Sequence, residues 1–138
     1  MRTYDEIETL YSLEKLFRPQ AVAIVGASAD PGKLSGIPLR NLIRIGYKGK
    51  IFPINPKEKS IDGIKCYQSL KDVNEPIDVA MICLPAEKAV LAVEECLELN
   101  IPAAIVAVSG FGEVGTSKGK QLQEKLSALS KKGIRIVG

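Results

Sequence analysis

Five short apolar runs, rich in β-branched residues and largely continuous rather than alternating, set the tightest limit on how this chain folds. They are Ala21 to Val25, Lys50 to Ile54, Asp78 to Leu84, Ala103 to Val108 and Ile134 to Val137. A strand that is apolar at nearly every position is covered on both faces, which is the condition of a parallel sheet between layers of helices. Helical patterns fill most of the intervals. Leu39, Leu42 and Ile43 make a short amphipathic stretch ending at Gly46, with Pro38 tolerated because it falls in the first turn. From Ala86 to Leu99, Val90, Val93 and Leu97 share a face while Glu87, Glu94, Glu95 and Glu98 lean toward water. Thr116 or Ser117 caps a further helix through Leu122, Leu126 and Leu129, which stops at Gly133. Between the second and third runs, Ser69 to Val73 suggests only a turn or two.

Strand and helix therefore alternate, and right-handed crossovers then place helices on both faces of the sheet. The expectation is an α/β, Rossmann-like, doubly wound parallel sheet of five strands in the order 3-2-1-4-5. Residues 4 to 17 form another amphipathic stretch ahead of it, with Ile7, Leu10, Tyr11 and Phe17 as the packing face before Pro19. Ligands of such sheets bind outside the carboxyl ends of the strands, where the strand order reverses. Four segments lie there: Gly26 to Gly36, Asn55 to Ser60, Leu84 to Lys88 and Ser109 to Gly115.

Composition removes several chemistries. The 138 residues include no histidine, so a Ser/His/Asp triad and histidine-built zinc sites are excluded. Cys66, Cys83 and Cys96 lack the close pairing of a metal or redox site, and an odd cysteine count fits a reducing compartment. The longest apolar run, Ile101 to Val108, is far below the roughly 20 residues needed to cross a bilayer. A cytoplasmic location is expected. No catalytic residue and no metal ligand stand out, because Ser109 and Glu113 have no third group to orient them.

The net charge of +3 is too small to argue for nucleic acid, but it is unevenly placed. Residues 31 to 60 carry Lys33, Arg40, Arg44, Lys48, Lys50, Lys57 and Lys59 against Glu58 alone, so this stretch is +6 and the rest of the chain is −3. A solvated basic face explains such a run; so does a small polyphosphate ligand. The first loop, Gly26-Ala27-Ser28 through Pro31-Gly32-Lys33 to Gly36, leads from a strand into a helix and suits phosphate. It is neither of the familiar nucleotide fingerprints. Ser28 stands where a dinucleotide motif has its second glycine, and Leu34 follows Gly32-Lys33 where a P-loop has Ser or Thr. After the second strand, where an NAD site places a carboxylate, the chain has Asn55-Pro56-Lys57.

This set resembles the CoA-binding domain of NDP-forming acyl-CoA synthetases, related to the α subunit of succinyl-CoA synthetase. The matching pieces are Leu16-Phe17-Arg18-Pro19, Ala23-Ile24-Val25-Gly26-Ala27-Ser28 with Pro31-Gly32-Lys33, Pro53-Ile54-Asn55-Pro56-Lys57, Ala80 to Ala86, Ser109-Gly110-Phe111-Gly112-Glu113 and Ile136-Val137-Gly138. The resemblance implies coenzyme A as ligand. Gly26, Ala27 and Ser28 then approach its phosphates with Lys33 nearby, and Asn55, Pro56 and Lys57 line the adenosine end. Leu84 and Pro85 form an apolar wall, while Ser109, Gly110 and Phe111 border the pantetheine arm. Pro85 also reads as the start of a helix with Leu84 in the core, Phe111 as a loop anchor, and Cys83 as inert strand packing.

The resemblance further implies a division of labour: a phosphate-carrying histidine in a following ligase domain and nucleotide on an ATP-grasp domain or subunit. Residues 1–20 are expected as a helical segment, 21–138 as a CoA-binding domain that is the first of a longer protein and binds CoA without catalysing alone. Alternatives are an NAD(P)-binding domain of a dehydrogenase or redox regulator, and a non-enzymatic CoA-binding module or the leading domain of an acetyltransferase.

Overall fold

The computed structural model describes Met1–Gly138 throughout. Its main sheet has five parallel strands: β1 (Ala21–Val25), β2 (Lys50–Ile54), β5 (Val79–Ile82), β6 (Ala103–Val106) and β7 (Arg135–Val137). A small hairpin, β3 (Ser60–Ile61) and β4 (Ile64–Lys65), lies between β2 and β5. Four helices flank the sheet: α1 (Tyr4–Phe17), α2 (Ile37–Arg44), α3 (Ala86–Glu98) and α4 (Ser117–Ser130).

The pleat of β1 shows why both faces are covered. Ala21, Ala23 and Val25 join a core with Val90 and Val93 of α3 and Leu122, Leu126 and Leu129 of α4. Val22 and Ile24 point the other way, into a core with Leu39 of α2 and, at its margin, Leu16 of α1. The doubly wound Rossmann-like architecture is thus present, with one helix pair on each face.

The strand order corrects the expected one. Along the sheet it runs β2-β1-β5-β6-β7, so the third main strand sits directly beside the first, with Val22 opposite Val79, and not outside the second. The reason lies in the segment between β2 and β5. Tyr67 forms a single parallel bridge to Ile54 on the outer edge of β2, its amide bonded to Pro53 O and its carbonyl to the Asn55 amide. That place is filled without a full strand, and the only crossover turn there is the 3₁₀ turn Leu70–Asp72. The switch point accordingly falls between β1 and β5.

The predicted helix at residues 4–17 is present, but its expected packing face is turned outward. Thr3 and Glu6 form a reciprocal capping box at its start. Ile7, Leu10, Tyr11 and Phe17 are exposed, and the helix seats instead through Ser12 and Leu16. Two polar tethers fix that rotation: Arg135 Nε donates to Ser12 Oγ, and Lys15 pairs with Asp78 at 3.4 Å. Asp78, at the start of β5, also accepts the amides of Gln20 (2.7 Å) and Ala21 (3.2 Å), holding the start of β1. Asp78→Asn keeps an acceptor for those amides but discards the ionic pull of Lys15. It is expected to cost about 1 kcal/mol in a urea melt, with the slope unchanged. No helix is long and apolar enough to cross a membrane.

Candidate functional site

β1 ends at Gly26, whose backbone has φ +85° and whose amide donates to Ile54 O at 3.0 Å. A Cβ here would lie 2.6 Å from Cys83 O and 2.8 Å from Leu84 Cδ2, so the chain turns away from β1 while pressed against the segment leaving β5. Only glycine satisfies both the turn and the contact. Ala27 is wholly buried. Beyond it the loop is braced internally: Asp30 N donates to Ser28 Oγ, and Gly32 N to Asp30 Oδ1. A short 3₁₀ turn, Leu34–Gly36, then runs into α2, with Pro38 in its first turn.

Asn55 joins the second loop to the first. Its Nδ2 donates to Ala27 O at 2.8 Å while its Oδ1 accepts the amides of Lys57 (2.8 Å) and Glu58 (3.2 Å). Both ends of the amide are therefore committed to shaping the loops. Pro56, Lys57 and Lys33 project into solvent. Of the seven basic groups between residues 31 and 60, only Lys50 is ion-paired, with Glu75.

Between the ends of β5 and β6 and the loop before α2 lies a cleft of about 600 Å³. Leu84, Pro85 and Ser109 of the sequence-predicted residues meet in its wall. Pro85 serves in two ways, since it is also the residue preceding α3, and half-buried Leu84 packs against the larger core as well. Opposite them stand Leu34, Ser35, Ile37 and Pro38, which the sequence reading did not single out. Leu34 is 83% exposed and Ile37 40%, apolar residues that the packing of α2 leaves unused. Ala107 and Val108 line the floor, and Cys83 lies here too, half-buried one residue past β5 rather than sealed within the strand.

Phe111 does not reach the cleft wall; it is 5% exposed and packs in the larger core, the anchor reading. Its neighbours are set by Glu113, whose carboxylate accepts the amides of Gly110 at 2.6 Å and Phe111 at 3.1 Å. Those bonds hold the Glu113 carboxyl below its ordinary range. Glu113 is thus occupied as a loop brace, not poised as a base. Burial pushes the Cys83 thiol up, and that of Cys96 up to about 12, so neither is an activated nucleophile. No cluster of His, Cys, Asp or Glu has the form of a metal site.

The site therefore offers an apolar cleft at the switch point, a turn at the end of β1 that only glycine allows, and the unpaired side chains of Lys33 and Lys57 on the loops that leave β1 and β2. Residues 20–138 match the family described as CoA binding domain. The chain is 41% identical over 132 residues, 92% of its length, to the alpha subunit of ADP-forming acetate–CoA ligase I from Pyrococcus furiosus, of which it spans 28%. It is 40% identical, over 93% of its length, to an ADP-forming acetate–CoA ligase from Methanocaldococcus jannaschii, spanning 18% of that protein. Among solved structures, a dinucleotide forming acetyl-coenzyme A synthetase 1 from Korarchaeum cryptofilum, in complex with phosphate and ADP, superposes with a TM-score of 0.86. Identity is 41%, covering 93% of this chain and 27% of that one. The chain thus spans between 18% and 28% of these three relatives, and, on a family match that takes in the sheet and every loop of the cleft, it belongs to the CoA-binding domain family.

Proposed function

We propose that the chain binds coenzyme A as the CoA-binding module of an NDP-forming acyl-CoA synthetase, positioning the thiol for chemistry performed by other domains or subunits. The observation that carries this reading is the cleft at the β1/β5 switch point, apolar on both walls, with the unpaired cations Lys33 and Lys57 on the loops that leave β1 and β2. The pantetheine arm suits Leu34, Ile37, Leu84, Pro85 and Ser109. The turn at Gly26, Ala27 and Ser28, with Lys33 nearby, suits the phosphates. Pro56 and Lys57 suit the adenosine end, where Asn55 fixes the loop and Lys57 faces the 3′-phosphate. Gly110 and Phe111 contribute by holding Ser109 in the wall.

Division of labour follows from composition. A chain without histidine cannot itself carry a phosphohistidine, so in this reading acyl transfer and nucleotide use belong to the ligase and ATP-grasp parts of the parent enzyme. An NAD-type clamp has less support, because the end of β2 presents Asn55, already bonded to Ala27, where a ribose diol needs a free carboxylate. The free thiols of all three cysteines accord with a cytoplasmic setting.

Isothermal titration tests the reading. CoA is expected to bind with affinity that falls as salt rises, and dephospho-CoA to bind more weakly. Lys57→Ala is expected to remove the difference between the two ligands, at a loss for CoA of roughly 3- to 10-fold, the scale of an exposed ionic contact. No heat with CoA at millimolar concentration would sink the assignment. Equal binding of CoA and dephospho-CoA by the unaltered chain would take the 3′-phosphate away from Lys57.

A further inference from the structure

Arg40, the fourth residue of α2, is half-buried and enters none of the chain's ion pairs. The one hydrogen bond made by an arginine side chain is that of Arg135 to Ser12. No fully buried side-chain nitrogen lacks a partner, so the unpaired guanidinium nitrogens of Arg40 reach solvent. Their position is specific. A Cβ placed on Gly36 would stand 2.9 Å from Arg40 Nη1, 2.8 Å from Ser28 O and 3.1 Å from Asp30 O. The bare backbone at Gly36 therefore lets the guanidinium lie against the very stretch of loop that follows the Gly26 turn.

That stretch connects the two halves of the site. At Ala27 it is bonded to Asn55, whose Oδ1 holds the Lys57 amide, and at Leu34 and Ser35 it becomes the cleft wall. A ligand with its apolar arm in the cleft and its phosphorylated ribose toward Lys57 carries its diphosphate along the segment between them. Guanidinium presents paired donors matched to phosphate oxygens, whereas Lys33 and Lys57 offer only point charges. We propose that Arg40 is the residue that binds the CoA diphosphate, leaving the 3′-phosphate to Lys57, an inference that rests on the CoA-binding reading.

The test compares CoA with dephospho-CoA, which share the diphosphate and differ only at the 3′-phosphate, in calorimetric titrations of the unaltered chain, Arg40→Met, Arg40→Lys and Lys57→Ala. Arg40→Met keeps an apolar stem in place of the arginine's while removing the charge. It is expected to weaken both ligands by the same factor, roughly 10- to 100-fold for a charge-assisted contact, and to preserve their ratio. Arg40→Lys is expected to recover part of the loss. Lys57→Ala changes the ratio instead. Unchanged affinity in Arg40→Met overturns the proposal; so does a loss confined to CoA, which places Arg40 at the 3′-phosphate. A loss for both ligands that Arg40→Lys does not relieve also overturns it, because that outcome reports loop geometry rather than charge. Absence of CoA binding by the unaltered chain overturns the CoA-binding reading itself, whereas binding that Arg40→Met leaves intact overturns this inference alone.

Discussion

Gly26→Ala is expected to lower stability by about 2–5 kcal/mol and to abolish measurable CoA binding, through one added methyl group. Two costs combine. The backbone at position 26 has φ +85°, a region in which an L side chain is strained by about 1–2 kcal/mol. The new Cβ also falls 2.6 Å from the carbonyl oxygen of Cys83, a backbone atom that cannot rotate aside as a side chain can. Relief requires β1 to part from the segment after β5 and Leu84 to move as well, and Leu84 is a wall of the cleft. Against a total stability of about 5–15 kcal/mol for a domain of this size, the loss is a large fraction. Thermal unfolding followed by circular dichroism is expected to show a midpoint lower by roughly 10 °C. A midpoint within a degree or two of the unaltered chain would mean that the contact between the first and third loops is not held as described. Should the variant stay folded at 10 °C, CoA titration at that temperature reads the cleft separately from the melt.

What the sequence made legible follows from which physical signals are local. The strands stood out because a parallel strand buried on both faces is apolar at nearly every position, as Ala21 to Val25 is. Following the strands to their carboxyl ends then located the segments that hold Gly26, Leu84, Pro85 and Ser109, and the family resemblance singled out those residues within them. Strand order was not local. It turned on whether the segment around Tyr67 takes an edge position, and it does so by one bridge too short to leave a pattern. The seating of α1 was hidden for a related reason: its buried position is Ser12, and polar tethers at Ser12 and Lys15, whose partners are 123 and 63 residues away, outweigh the apolar stripe. Leu34 and Ile37 escaped notice because a single 3₁₀ turn and the first residue of a short helix are too brief for an apolar period to mark them. Asn55 stood out at the end of β2, but its bond to Ala27 did not, since nothing in the sequence shows which loop an amide will meet.

That bond makes Asn55→Asp the more instructive of the possible changes at the site. Nearly isosteric, aspartate retains the oxygen that accepts the Lys57 and Glu58 amides, so the turn after β2 keeps its own brace. The other end fails: an N–H that donates to Ala27 O at 2.8 Å becomes a carboxylate oxygen facing a carbonyl oxygen. The expected loss is about 2–4 kcal/mol near neutral pH, the sum of a lost hydrogen bond and a repulsive contact in a half-buried place. Protonation restores a donor, so the folded state favours the neutral acid and raises its pKa above the usual carboxylate value. A group shifted in that direction is least destabilising below its unfolded-state pKa of about 4 and becomes fully so as pH rises through the folded value. Urea melts at pH 4 and pH 7 are therefore expected to show the gap between variant and unaltered chain widening with pH. A gap that is constant, or narrows, would mean that the Asn55–Ala27 bond does not hold the two loops together. The same variant also places at the end of β2 the carboxylate that an NAD site uses. If CoA is the ligand, the variant binds it more weakly, because the loops that carry Ser28 and Lys57 have lost their tie and a negative charge now stands among the phosphates. NADH fluorescence is expected to show no gain, since a ribose clamp also needs the glycine that Ser28 replaces in the first loop.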